Sequence, residues 1–129
     1  MIVGSENRTA FMTLDFNNDL TLMTGFDCNE CTVKTYDSKK SATAKPPTNP
    51  DTSLSYLRTQ YGEDTTSVFG GYFIRDRLCF NGVVDRLNCT ARNDAGYEFF
   101  VINNLNNDLY YSNALFSGIL GLSVNSTNP

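Results

Sequence analysis

The 129-residue chain contains no histidine. That absence removes the side chain that ordinarily activates a serine or cysteine nucleophile, so Ser-His and Cys-His chemistries have no general base here. Basic residues are also few. Ten Lys and Arg face fourteen Asp and Glu, and the net charge of -4 is spread without a basic stripe. A nucleic-acid phosphate backbone is therefore not the expected partner. No apolar run approaches the roughly 20 residues needed to span a bilayer as a helix, so membrane insertion is not expected. No glycine-rich loop precedes a helix to cradle phosphate, and no spacing among the acids singles out a glycosidase-like pair. The opening residues, Met1-Ile2-Val3-Gly4-Ser5-Glu6, have neither a basic segment nor a long apolar one. Any signal peptide is thus expected to be already removed or to lie outside this sequence.

What is present points outward from the cytosol. Three N-x-S/T sequons occur, at Asn7, Asn88 and Asn125, beside an even set of four cysteines. Together they predict glycosylation and an oxidising location: secreted, at the cell surface or in the endomembrane lumen. Cys28-Asn29-Glu30-Cys31 can be read as a redox motif, half a zinc site or a small structural loop. A zinc site would need all four thiolates, and the ten-residue step from Cys79 to Cys89 is unlike a second tight knuckle. A redox motif should open a helix, whereas Thr32 to Tyr36 reads as a strand. Of the three possible pairings, Cys28–Cys31 with Cys79–Cys89 is the one expected; no metal and no cofactor is.

The length suits one domain over residues 1–129, and the pattern is all-β. Strand-like runs cover residues 10–16, 19–24, 32–36, 54–61, 65–80, 97–103 and 114–122, separated by Asn, Asp, Gly and Pro. Residues 41–53 hold three of the four prolines within five positions, which predicts an exposed loop.

Four segments, in order, resemble the amino-terminal lobe of the pepsin-like aspartic proteases. Leu20-Thr21-Leu22-Met23-Thr24-Gly25 is similar to the strand and turn carrying the catalytic Asp-Thr-Gly, with Met23 in the aspartate's position. Tyr36-Asp37-Ser38-Lys39-Lys40-Ser41-Ala42-Thr43 resembles the segment that follows the family's cysteine loop. Gln60-Tyr61-Gly62-Glu63-Asp64 and the run from Val68 to Gly82 are similar to the flap hairpin, with Tyr61 and Gly62 at its tip. Phe116-Ser117-Gly118-Ile119-Leu120-Gly121-Leu122-Ser123 resembles the Phe-Asp-Gly-Ile-Leu-Gly-Leu segment near the end of that lobe. The family's Ser-Ser-x-Leu-Trp-Val stretch is missing, and Asp64 replaces a flap glycine.

The resemblance implies a Greek-key-like β-barrel or sandwich with a flap hairpin, but not an enzyme. Aspartic proteases need two carboxylates about 3 Å apart sharing one proton, one from each lobe. A thioether at position 23 has no such proton chemistry. Asp15, Asp19, Asp27 and Asp37 are the neighbouring acids, and none precedes Thr-Gly or Ser-Gly. The resemblance therefore implies a non-catalytic module with Met23 as core filling. Its expected role is a structural subunit, homo- or hetero-oligomeric with other protein chains, because a lobe built to face a second one leaves an apolar flank. The alternatives are a non-cleaving peptide- or protein-binding module, such as a decoy or inhibitor, and one lobe of an active protease completed by another chain.

Overall fold

The computed structural model describes residues 2–4, 8–15, 20–45, 52–60, 62–79, 96–106, 108, 111 and 117–121. Nine strands lie among them: β1 (Ile2–Val3), β2 (Arg8–Thr9), β3 (Met12–Asp15), β4 (Leu22–Thr24), β5 (Thr52–Gln60), β6 (Glu63–Asp76), β7 (Leu78–Cys79), β8 (Tyr97–Asn104) and β9 (Gly118–Gly121). They form a six-stranded mixed sheet in the order β3-β9-β4-β8-β6-β5 and a three-stranded sheet, β2-β1-β7. The chain is all-β as its strand-like runs predict, but the larger sheet is open, with β3 and β5 at its edges, rather than a closed barrel.

The centre of the large sheet is buried on both faces, and the sequence of β8 explains how. In Phe99-Phe100-Val101-Ile102 every residue is apolar, so successive side chains pointing to opposite faces each find a core. Phe100 and Ile102 join Leu22, Phe69, Tyr111 and Ile119 on one side. Phe99 and Val101 join Met23, Tyr36, Ile74 and Leu78 on the other. Edge-to-face ring pairs with 5.1 Å between centroids stiffen both cores, Phe73–Phe100 and Phe69–Tyr111 in the first and Tyr36–Phe99 in the second.

Strand β4 is held between two neighbours of opposite direction, parallel to β8 and antiparallel to β9. The approach of β9 is so close that only glycine fits at position 118. A Cβ there would lie 1.9 Å from the Leu22 carbonyl oxygen. On the other flank β5 and β6 form a long antiparallel hairpin whose register closes Gln60 against Glu63. Gly62, with φ of 78°, supplies the left-handed residue that this tight connection requires.

Two expected elements differ. The run Thr32 to Tyr36 is not a strand; it makes a single bridge, Tyr36 to Gly25. The amides of Thr35 and Tyr36 both turn to the Thr24 carbonyl, at 3.2 and 3.0 Å, which pulls the segment across the end of β4 instead of along it. The stretch 41–53 is not uniformly an exposed loop either. Ser41 is buried, Lys45 bridges Arg75, and Thr52–Ser53 already belong to β5; residues 46–51 lie outside the described residues.

Candidate functional site

The segment from Met23 to Gly25 ends β4 and carries the strongest functional expectation. Met23 is completely buried, packed among the apolar side chains of the second core. A flexible thioether fills such a space well, and a carboxylate there would be stranded without water. The next two residues are fixed by backbone partners. Thr24 N donates to the Ser117 carbonyl at 2.8 Å and Gly25 N to the Ile102 carbonyl at 2.9 Å. The Thr24 hydroxyl donates to the same Ser117 carbonyl at 3.1 Å and lies 3.3 Å from the Thr35 hydroxyl. At Gly25 a Cβ would meet an Asp27 carboxylate oxygen at 2.6 Å and the Ile102 carbonyl oxygen at 3.1 Å, so the turn requires glycine.

The two sides of this turn differ in shape. On the side of Thr24, Cys31, Val33, Ile102, Leu105 and Tyr111 the space is only about 10 Å³, at or below what one water needs. The Cys28–Cys31 disulfide lies in this wall, with both residues buried.

On the other side a cavity of about 420 Å³ opens between Phe26, Asp27, Tyr36, Asp37, Ser38, Lys39, Tyr72 and Asn103. Its parts converge for traceable reasons. Phe26 N donates to the Tyr36 carbonyl at 2.9 Å, which ties residues 26–27 to the start of the 36–39 segment. In the β6–β8 register Gly70 faces Asn104 and Gly71 faces Ile102, so Asn103 is the extra residue of a bulge. Bulges re-aim side chains, and this one brings Asn103 to the cavity rim.

The Tyr72 hydroxyl lies 3.1 Å from Ser38 Oγ. Burial raises the Tyr72 phenol above its usual pKa; the Ser38 hydrogen bond works against this, and the fields of Asp27 and Asp37 add to it. Both carboxylates therefore act on one point of the cavity wall. Tyr36 forms the floor, its hydroxyl held by Asp76 at 2.7 Å, and burial first, then that carboxylate, raises its pKa.

Sequence reasoning singles out Met23, Thr24, Gly25 and the Cys28–Cys31 bridge, and these four elements stand together at the end of β4. Gly62 is at the hairpin tip; Tyr61 lies outside the described residues. Cys79 is disulfide-bonded, while its expected partner Cys89 and the sequons at Asn7, Asn88 and Asn125 are likewise outside them. Asp15, weighed as a substitute acid, accepts a hydrogen bond from the Tyr56 hydroxyl. Asp19 is not among the described residues. Tyr72, Ser38, Lys39 and Asn103 carry no signal in the sequence as site residues. The bulge, the Phe26–Tyr36 hydrogen bond and the Ser38–Tyr72 hydroxyl contact unite them.

No family model matches the chain, and no curated protein matches it.

Proposed function

We propose that the chain is a non-catalytic, pepsin-like module that serves as a structural or assembly subunit of an extracellular, surface or lumenal protein complex. The observation that carries this reading is Met23. At the position where the resemblance calls for a catalytic aspartate, the side chain is apolar, fully buried and part of a core. Of the nearby acids, Asp15 is bonded to Tyr56, and Asp27 and Asp37 line the open cavity beside the turn.

Further support for the pepsin-like reading comes from connectivity. The turn-bearing β4 runs between β8 and β9, so the Gly118-Ile119-Leu120-Gly121 segment passes directly beside it, and a β5–β6 hairpin follows β4 in the chain, as a flap would in this reading. Support for assembly comes from the edge. Phe11 is 72% and Leu14 56% exposed on and beside β3, the last strand of an open sheet. An edge strand carrying exposed large apolar residues is a ready template for association.

Among the described residues no helix is long and apolar enough to cross a membrane. A proteolysis assay at acidic pH with and without a pepstatin-type transition-state analogue tests the non-catalytic half. No inhibitable turnover is expected; turnover abolished by the analogue would overturn it.

A further inference from the structure

We infer that the cavity beside the Gly25 turn is a binding site for an organic cation, an ammonium or guanidinium group carried on an apolar stem. Its volume of about 420 Å³ falls within the range of pockets that hold small ligands. Three of its lining side chains, Phe26, Tyr36 and Tyr72, are aromatic, and two, Asp27 and Asp37, are carboxylates. Aromatic faces attract cations through their quadrupole, and a carboxylate adds a charge-assisted hydrogen bond. The combination selects positive charge with hydrocarbon attached, and it repels anions.

The site's own geometry narrows the ligand further. Among the described residues no three Asp, Glu, Cys or His side chains come together to hold a metal ion. A hard divalent cation wants six or more oxygens, whereas this wall offers two carboxylates amid rings. Among the described residues Lys39 is the one cation of the lining, and it makes no ion pair with Asp27 or Asp37. Its backbone amide instead donates to Asp37 Oδ1 at 3.0 Å, which fixes that carboxylate at the rim while the lysine side chain stays exposed. The two acids thus keep their capacity for an incoming cation. Asn103 and the Ser38–Tyr72 hydroxyl pair add neutral hydrogen-bonding groups around them.

The test titrates the full chain, followed by backbone amide resonances at low salt and neutral pH, with four probes. Nα-acetyl-argininamide and Nα-acetyl-lysinamide present the cation as a polypeptide would. Butylammonium presents it as a free amine, and Nα-acetyl-norleucinamide keeps the stem without the charge. Saturable shifts centred on Phe26, Asp27, Ser38, Tyr72 and Asn103 are expected with the cations, and at least tenfold weaker binding with norleucinamide. The double variant Asp27→Asn with Asp37→Asn should bind the cations at least tenfold more weakly, and Lys39→Ala should bind them more tightly by removing a competing charge. Tighter binding of the blocked amino acids than of butylammonium assigns the ligand to a polypeptide; equal binding assigns it to a free amine, and both sustain the inference. Absence of saturation with every cation, equal binding of norleucinamide, or cation binding unchanged in Lys39→Ala and in a folded double variant overturns it.

Discussion

The Tyr36 hydroxyl donates a 2.7 Å hydrogen bond to Asp76, a completely buried carboxylate 40 residues further along the chain. The same carboxylate accepts from Ser41 at 2.6 Å, Thr43 at 2.5 Å and the Arg77 amide at 2.7 Å. A buried charge is tolerable only when so satisfied, and here the satisfaction pins the segment from Tyr36 to Thr43 onto the end of β6. The floor of the cavity therefore depends on Asp76.

Removing that acceptor takes one hydrogen bond from each of three hydroxyls and an amide, while Ser41 and Thr43 keep their mutual 3.2 Å contact. Asp76→Ala should lower unfolding stability by about 3 kcal/mol or more, and Tyr36→Phe by about 1.5–3 kcal/mol, the range for one hydrogen bond to a charged group. Urea denaturation midpoints measure both. Asp76→Ala less damaging than Tyr36→Phe would contradict the hub role.

The two tyrosines of the cavity set an alkaline limit. Burial, followed for Tyr36 by the Asp76 carboxylate, raises both phenols above their unfolded value. A group whose folded pKa is raised contributes stability that is complete below the unfolded value of about 10 and is lost as pH climbs toward the folded one. Stability should therefore fall with rising pH above about 10, and the phenolate absorbance lost in Tyr36→Phe and in Tyr72→Phe should be absorbance that develops late in the titration. Tyr36→Phe should flatten the alkaline slope of stability.

Glycines 118 and 62 should respond differently to the same substitution. At Gly118 the added carbon meets the Leu22 backbone, so Gly118→Ala must separate β9 from β4 and should cost about 3 kcal/mol or more. At Gly62 nothing lies within 4 Å, and only the left-handed φ is penalised, so Gly62→Ala should cost about 1–2 kcal/mol and Gly62→Asn less. Thermal unfolding of the three variants ranks them.

Much of this architecture is legible in the residues, and some is not. Runs such as Tyr97 to Asn103 and Leu54 to Tyr61 announce strands because β-branched and aromatic residues fill them, and the observed β8 and β5 match within one to two residues at each end. Thr32 to Tyr36 carries the same local propensity, yet its amides bond to the Thr24 carbonyl, a tertiary preference that composition does not reveal. Met23 draws notice in the sequence because Leu20 to Gly25 resembles the aspartic-protease turn with a methionine in the aspartate's position. The cavity does not, because it is assembled from four separate segments by one bulge, one backbone hydrogen bond and the Ser38–Tyr72 hydroxyl contact. Asp27 and Asp37 draw notice in the sequence only as failed substitutes for an active-site acid.

Substitutions at Met23 separate core filling from a vestigial active site. Met23→Leu conserves volume and should cost less than about 1.5 kcal/mol. Met23→Asp supplies the aspartate that the proposed pepsin-like reading calls for but strands a charge in an apolar core, and should cost about 3 kcal/mol or more without producing acid-pH proteolysis. A stable, folded Met23→Asp variant would show that the position is solvated.

The proposed assembly role is tested most directly by the mass of the native protein in solution, by light scattering or native mass spectrometry. The account predicts a particle well above the 14.4 kDa of one chain, reduced toward one chain by Phe11→Asp with Leu14→Asp on the open β3 edge. A stable particle of single-chain mass across the micromolar range would contradict it.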